Sequence, residues 1–85
     1  MVVIEEAIEA LNIAKSLQEE SNFHNHPDYA STLLTLGRCY EKQGNKLLAI
    51  QFYEKTISIL ENYKDNTEIA LSLNESKVAL KKLQK

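Results

Sequence analysis

The sequence has no tryptophan, one proline, two glycines and one cysteine among its 85 residues. Each scarcity excludes something. With so little Gly and Pro there are too few turn residues for an all-β fold of short strands. A single cysteine makes no internal disulfide, so a stapled secreted scaffold is excluded and a cytoplasmic setting is expected. No stretch nears the ~20 apolar residues of a membrane-spanning helix. The opening MVVIEEAIEA is acidic where a signal peptide is basic, so neither a membrane nor a targeting segment is expected. Ten Lys and Arg stand against twelve Asp and Glu, a net charge of −2, without the basic footprint of a nucleic-acid binder. Core material is not lacking: hydrophobic residues are 44% and charged residues 26%, which is ordinary globular usage and excludes a disordered tail. A chain this short buries only roughly 60–65% of its unfolded surface, so its core is marginal and a multi-part active site has little room.

What is present is helical period. Ile4, Ile8 and Leu11, with Val3, Ala7, Ala10, Ala14 and Leu17, recur at spacings of three and four and predict a first helix from about Val2 to Glu20. The polar break SNFHNHP ends in Pro27, suited to a first helical turn because its missing N–H has no partner there anyway. A second helix runs from about Pro27 to Gln43, with Ala30, Leu33, Leu36, Gly37 and Tyr40 on one face, and Gly44-Asn45 stops it. A third, from about Lys46 to Asn62, is apolar over most of its girth, as a helix between neighbours must be. A fourth, from about Thr67 to Leu83, turns Ile69, Ala70, Leu73, Leu80 and Leu83 to one side; Lys77, Lys81, Lys82 and Lys85 end it, cations where the helix dipole is negative. No strand alternation is sustained, and the fold class is all-α with antiparallel connections.

The helices repeat in pairs. Ala7-Ile8, Leu11, Ala14 and Leu17 align with Ala49-Ile50, Tyr53, Thr56 and Ile59, an offset of 42 residues. Pro27-Asp28-Tyr29-Ala30 and Leu33 align with Thr67-Glu68-Ile69-Ala70 and Leu73, an offset of 40. The pattern Leu33-x-x-Leu36-Gly37-x-x-Tyr40-x-x-x-Gly44, then Ala49-x-x-x-Tyr53, resembles one tetratricopeptide repeat. The period of 40–42 and the helix start His26-Pro27-Asp28-x-Ala30 are similar to the longer kinesin-light-chain-like subclass of that family. The resemblance implies four helices in the order B-A-B-A, stacked as a short right-handed solenoid over residues 1–85, with one complete repeat at about 27–62. It also implies that Gly37 lets one helix approach Ala49 on its mate. Two helices depart from the pattern: in the third, Thr56 stands for a small Ala, and in the fourth, Ser76-Lys77 stand for Leu-Gly and Leu80 for the Tyr. The second departure suits a solvating terminal helix.

Candidate chemistry is thin. His24 and His26 lie in a polar loop with Asp28 as the only close carboxylate, too few for a tetrahedral metal set. Cys39 has no base beside it and reads as a small helix hydrophobe. Asn74-Glu75-Ser76 matches a glycosylation sequon inside a predicted helix, a chance match. Glu5, Glu6, Glu9, Glu19 and Glu20 have nothing nearby to split their acidities and read as a solvated face. Tyr29, Tyr40, Tyr53 and Tyr63 lack the basic neighbours of a base-stacking platform. No catalytic residue, metal, cofactor or small-molecule substrate is expected.

What remains is a surface. The resemblance implies a concave groove lined by A helices: Ser31, Leu34, Arg38, Glu41 and Lys42 from the second helix, and Leu71, Asn74, Val78 and Lys81 from the fourth. Arg38 can hold a carboxylate in two hydrogen bonds, and Asn74 can bond a peptide backbone through both ends of its amide. Leu34 and Arg38 replace two residues of the family's carboxylate clamp, which disfavours chaperone tails. The function implied is a non-enzymatic adaptor for a protein or peptide partner. The alternatives are a structural subunit or fragment of a larger assembly, self-association through the first helix and, more remotely, a helical ligand-binding or enzyme domain. Residues 1–30 carry six acids and one base, and residues 64–85 five bases and three acids. Acidic start on basic end therefore predicts a salt-sensitive homo-oligomer.

Overall fold

Helix boundaries fall where local chemistry supplies the hydrogen bonds that helix ends lack. The computed structural model describes residues 3–22 and 24–84. Val2, Phe23 and Lys85, placed by the sequence in the first helix, the first break and the basic tail, lie outside the described residues. Helix α1 covers Val3–Glu20, α2 Pro27–Gln43, α3 Lys46–Leu60 and α4 Thr67–Leu83, with no strand among the described residues. At the start of α2 the His26 ring accepts the Asp28 N–H at 3.0 Å, with Pro27 in the first turn. Asn45 and Asn66 cap α3 and α4: the Asn45 side chain accepts from the Leu48 N–H, and Asn66 from the N–H groups of Glu68 and Ile69. Gly44 ends α2 at φ +90°, a left-handed conformation natural to glycine, and the Asn45 N–H reaches back to the Tyr40 carbonyl at 2.8 Å.

The third helix is shorter than predicted. It ends at Leu60, and Glu61–Tyr63 tighten into a 3-10 turn. The Glu61 N–H thereby bonds helix carbonyls that would otherwise be orphaned. Two side chains of that turn are held from outside: Lys77 pairs with Glu61 at 2.9 Å, and the Tyr63 hydroxyl donates to the Asn25 carbonyl at 2.7 Å.

Helix α1 packs on α2, α2 on α3 and α3 on α4. The body measures 39 × 35 × 18 Å, so its thin dimension is about two helix diameters and the hairpins form two layers. Tyr29, Ala30 and Leu33 of α2 meet Ile59 and Leu60 of α3 and Leu73 of α4 in one core cluster. Leu34, Ala49 and Tyr53 form another, flanked by Tyr40, Leu80 and Leu83. Leu33 and Leu36 are wholly buried, each worth roughly 1.5–3 kcal/mol of apolar burial. Thr56 and Ser76 are also wholly buried, and each hydroxyl donates to a carbonyl one turn back in its own helix. Small side chains bonded inside their own helix let the neighbours come close without an orphaned polar atom. Helix α1 contributes no fully buried residue: its stripe is half-covered by α2, and Val3, Ile13 and Leu17 stay exposed.

One expected contact is different. Gly37 does make a close approach possible, but the group it admits is the Tyr53 ring rather than Ala49. A Cβ built on Gly37 meets Tyr53 Cε1 at 2.8 Å and Cδ1 at 2.9 Å, and the three nearest atoms are all of that ring. Ala49 is wholly buried in the same cluster. The smaller residue is thus spent on fitting an aromatic ring, and the ring in turn reaches Glu41.

Candidate functional site

Helices α2 and α4 both lie on α3, and a furrow of about 330 Å³ runs between them. Tyr53 of α3 and Ala79 of α4 line its apolar base, with Arg38 and Glu41 from α2 and Asn74, Glu75, Val78 and Lys82 from α4 along it. Period explains the α4 wall: positions 74, 75 and 82 each stand three or four residues from Val78, on the side turned from the buried Leu73 and Ser76.

Four residues placed on the groove by sequence come together here: Arg38, Glu41, Asn74 and Val78. Ser31, Lys42, Leu71 and Lys81 are exposed but outside the furrow lining. Leu34 is 7% exposed and belongs to the core cluster with Ala49 and Tyr53, so it presents no surface to a partner. Glu75, Ala79 and Lys82 were missed, and Tyr53 was read as packing alone. A walk of three and four residues from Val78 along α4 finds both Glu75 and Lys82.

The polar groups on the two walls of the furrow are loosely engaged with one another. Arg38 Nη2 lies 3.5 Å from Glu75 Oε2, both side chains at least half exposed. Such a pair is worth little in water, so the guanidinium is available to a better-placed acid. Lys82 has no ion pair among the described residues and adds a second cation. The Tyr53 hydroxyl donates to Glu41 Oε1 at 2.7 Å. Burial, and then the bond to Glu41, push the Tyr53 hydroxyl well above the usual tyrosine range, so it stays a neutral donor. The site therefore offers two cations, Arg38 and Lys82, set beside the carboxylates of Glu41 and Glu75, one amide with donor and acceptor ends, and an apolar floor.

The other candidates find structural places. The His24 ring meets Tyr29 edge-on with centroids 5.8 Å apart. The His26 ring caps α2 and lies 3.7 Å from the Asp28 carboxylate. No three His, Cys, Asp or Glu gather among the described residues, and Cys39 is half-buried. Glu19 accepts the Tyr29 hydroxyl at 2.7 Å and pairs with Lys15 at 3.0 Å; both hold its carboxyl below the usual carboxylate range. No helix of the described residues is long and apolar enough to cross a membrane. A wider cleft, about 530 Å³, opens between α1 and the outer side of α3, lined by Lys15, Leu48, Phe52 and Lys55 among others. Lys15 is already engaged by Glu19 there.

Antiparallel helix pairs stacked side by side, with an open furrow between alternate helices, define a helical-repeat protein. The sequence pattern of the tetratricopeptide repeat family matches residues 4–62, more than half of the chain, and the chain belongs to that family. No curated protein and no solved structure matches it.

Proposed function

We propose that the chain is a non-enzymatic protein-interaction module, and that an extended acidic peptide or a partner helix lies in the furrow between α2 and α4. Family membership supports the general role, since tetratricopeptide repeats commonly mediate protein–protein contact. One observation carries the finer reading: among the described residues Arg38 is tied only to a half-exposed Glu75 at 3.5 Å, beside Asn74 and a Lys82 without an ion pair. A partner carboxylate replaces Glu75 on Arg38, the Asn74 amide takes a backbone group, and Val78 and Ala79 receive an apolar side chain. Residues 27–62 form the complete repeat. The period of 40–42 residues and the His26-Pro27-Asp28-x-Ala30 start support assignment to the kinesin-light-chain-like subclass. The location we assign is cytoplasmic.

The test is selection from a random peptide library displayed on phage, with wild type and the Arg38→Ala, Asn74→Ala variant as parallel baits. Wild type enriches acidic peptides; the variant, folded by circular dichroism, loses them at least tenfold. Identical enrichment by both baits, or none by wild type, rejects the furrow as the binding site.

A further inference from the structure

Two exposed stripes outside the packed core share one spacing. On α4, Leu71 and Val78 are 63% and 51% exposed, and Lys82 follows four residues later: Leu71, seven residues, Val78, four residues, Lys82. On α1, read backwards, the order is Leu17, seven residues, Ala10, four residues, Glu6. Leu17 is 58% exposed, and Ala10 and Glu6 are exposed. Steps of seven and four return to nearly the same side of a helix, so each set forms one line. Laid antiparallel, the lines register residue on residue: Leu71 on Leu17, Val78 on Ala10, Lys82 on Glu6. Ile13, 60% exposed, borders the α1 line.

At the two helix ends that the register joins, the charges left over inside one copy are of opposite sign, while at the other end Glu68 of α4, also without an ion pair among the described residues, faces Glu20. Glu5, Glu6, Glu9 and Glu20 of α1 have no ion pair among the described residues, and neither have Lys81 and Lys82 of α4. Antiparallel pairing brings the lysine-bearing end of α4 onto the glutamate-bearing start of α1. Parallel pairing leaves those ends about 20 Å or more apart at 1.5 Å per residue. A second α1 is a poor occupant of the α1 stripe, because it sets glutamates against glutamates.

We propose that α1 of one copy docks antiparallel on α4 of a second copy, with Leu17, Ala10 and Glu6 seated on Leu71, Val78 and Lys82. The contact joins different surfaces, so a docked pair still presents one free α1 stripe and one free α4 stripe, on which further copies add. The assembly grows with concentration and has no dimer plateau. Val78 and Lys82 also line the furrow, so a docked α1 and a furrow ligand share part of α4; Arg38 takes no part in the α1 contact, and its variant separates the two readings.

Sedimentation velocity over a concentration series tests the proposal. At low salt the average mass of wild type rises continuously; at high salt, where the Debye length shrinks from about 10 Å at 0.1 M to about 3 Å at 1 M, the rise is much reduced. Glu6→Lys and Lys82→Glu each abolish the rise while the circular dichroism spectrum stays helical. An equimolar mixture of the two variants restores it, since each faces its complement on both sides, and Arg38→Ala leaves it unchanged. Wild type that stays monomeric at low salt overturns the proposal. So does a closed dimer, an assembly of either variant alone, or a mixture that stays monomeric.

Discussion

Replacing Gly37 by alanine tests the central packing contact. The added Cβ lies 2.8 and 2.9 Å from two Tyr53 ring carbons and 3.3 Å from a third, against about 3.5–4.0 Å for ordinary carbon contact. The ring cannot swing aside, because Tyr53 is wholly buried and its hydroxyl is held by Glu41 at 2.7 Å. Overpacking of this kind costs about 1–3 kcal/mol. Alanine returns about 1 kcal/mol through its better helix propensity. The net expectation is a loss of about 0–2 kcal/mol, with about 4–8 °C of Tm per kcal/mol for a domain of this size. Urea unfolding followed by circular dichroism measures it, with the slope unchanged. In a Tyr53→Leu background the collision is gone, so the same Gly37→Ala change stabilises by up to about 1 kcal/mol. If Gly37→Ala stabilises the parent chain by the propensity term alone, the claim that the glycine exists to seat the ring is wrong.

Three further outcomes follow from the same contacts. Asn66→Ala removes the acceptor of two N–H groups at the start of α4 and lowers the urea-derived stability by about 1 kcal/mol. Tyr63→Phe frees the Asn25 carbonyl, costs about 0.5–1.5 kcal/mol, and speeds limited proteolysis in the connection before α2. The Tyr29 hydroxyl, pushed up to about 12 by burial and then by Glu19, keeps its proton more tightly folded than unfolded. Its stabilisation is complete below pH 10.0 and is lost as pH climbs from there toward 12. Glu19, held low by Tyr29 and Lys15, acts with opposite sign: its contribution is present above the ordinary value of 4.5 and is lost on acidification. Tyr29→Phe therefore flattens both limbs of a plot of urea midpoint against pH.

The helices were legible because most boundaries between them have a local signal. Pro27 opens α2, Gly44 closes it, and Asn45 and Asn66 accept the first free N–H groups of α3 and α4. The end of α3 was misplaced because its 3-10 turn is fixed by partners far along the chain, Asn25 and Lys77. The furrow was half legible. Period puts Arg38, Asn74 and Val78 on outward faces, but the Arg38–Glu75 pair spans 37 residues and has no signature in sequence. Leu34 was misjudged for a related reason: its place in the helical wheel lies near the groove edge, and only the approach of α3 buries it. The role of Gly37 was read as a match of two small residues, whereas the partner is a large flat one four positions beyond Ala49. Spacing reveals which turn of a helix is close to its neighbour, not which side chain fills the gap.

The clasps between helices are unequal. A tyrosine hydroxyl fastens α2 to α1 and another fastens α3 to α2, each at 2.7 Å. Across the furrow, α2 and α4 share a guanidinium and a carboxylate at 3.5 Å, wet on both sides. Strain applied along the stack therefore collects at that last seam. The furrow is therefore bounded on one side by the least firmly stitched seam of the stack, and its width is the dimension that yields first.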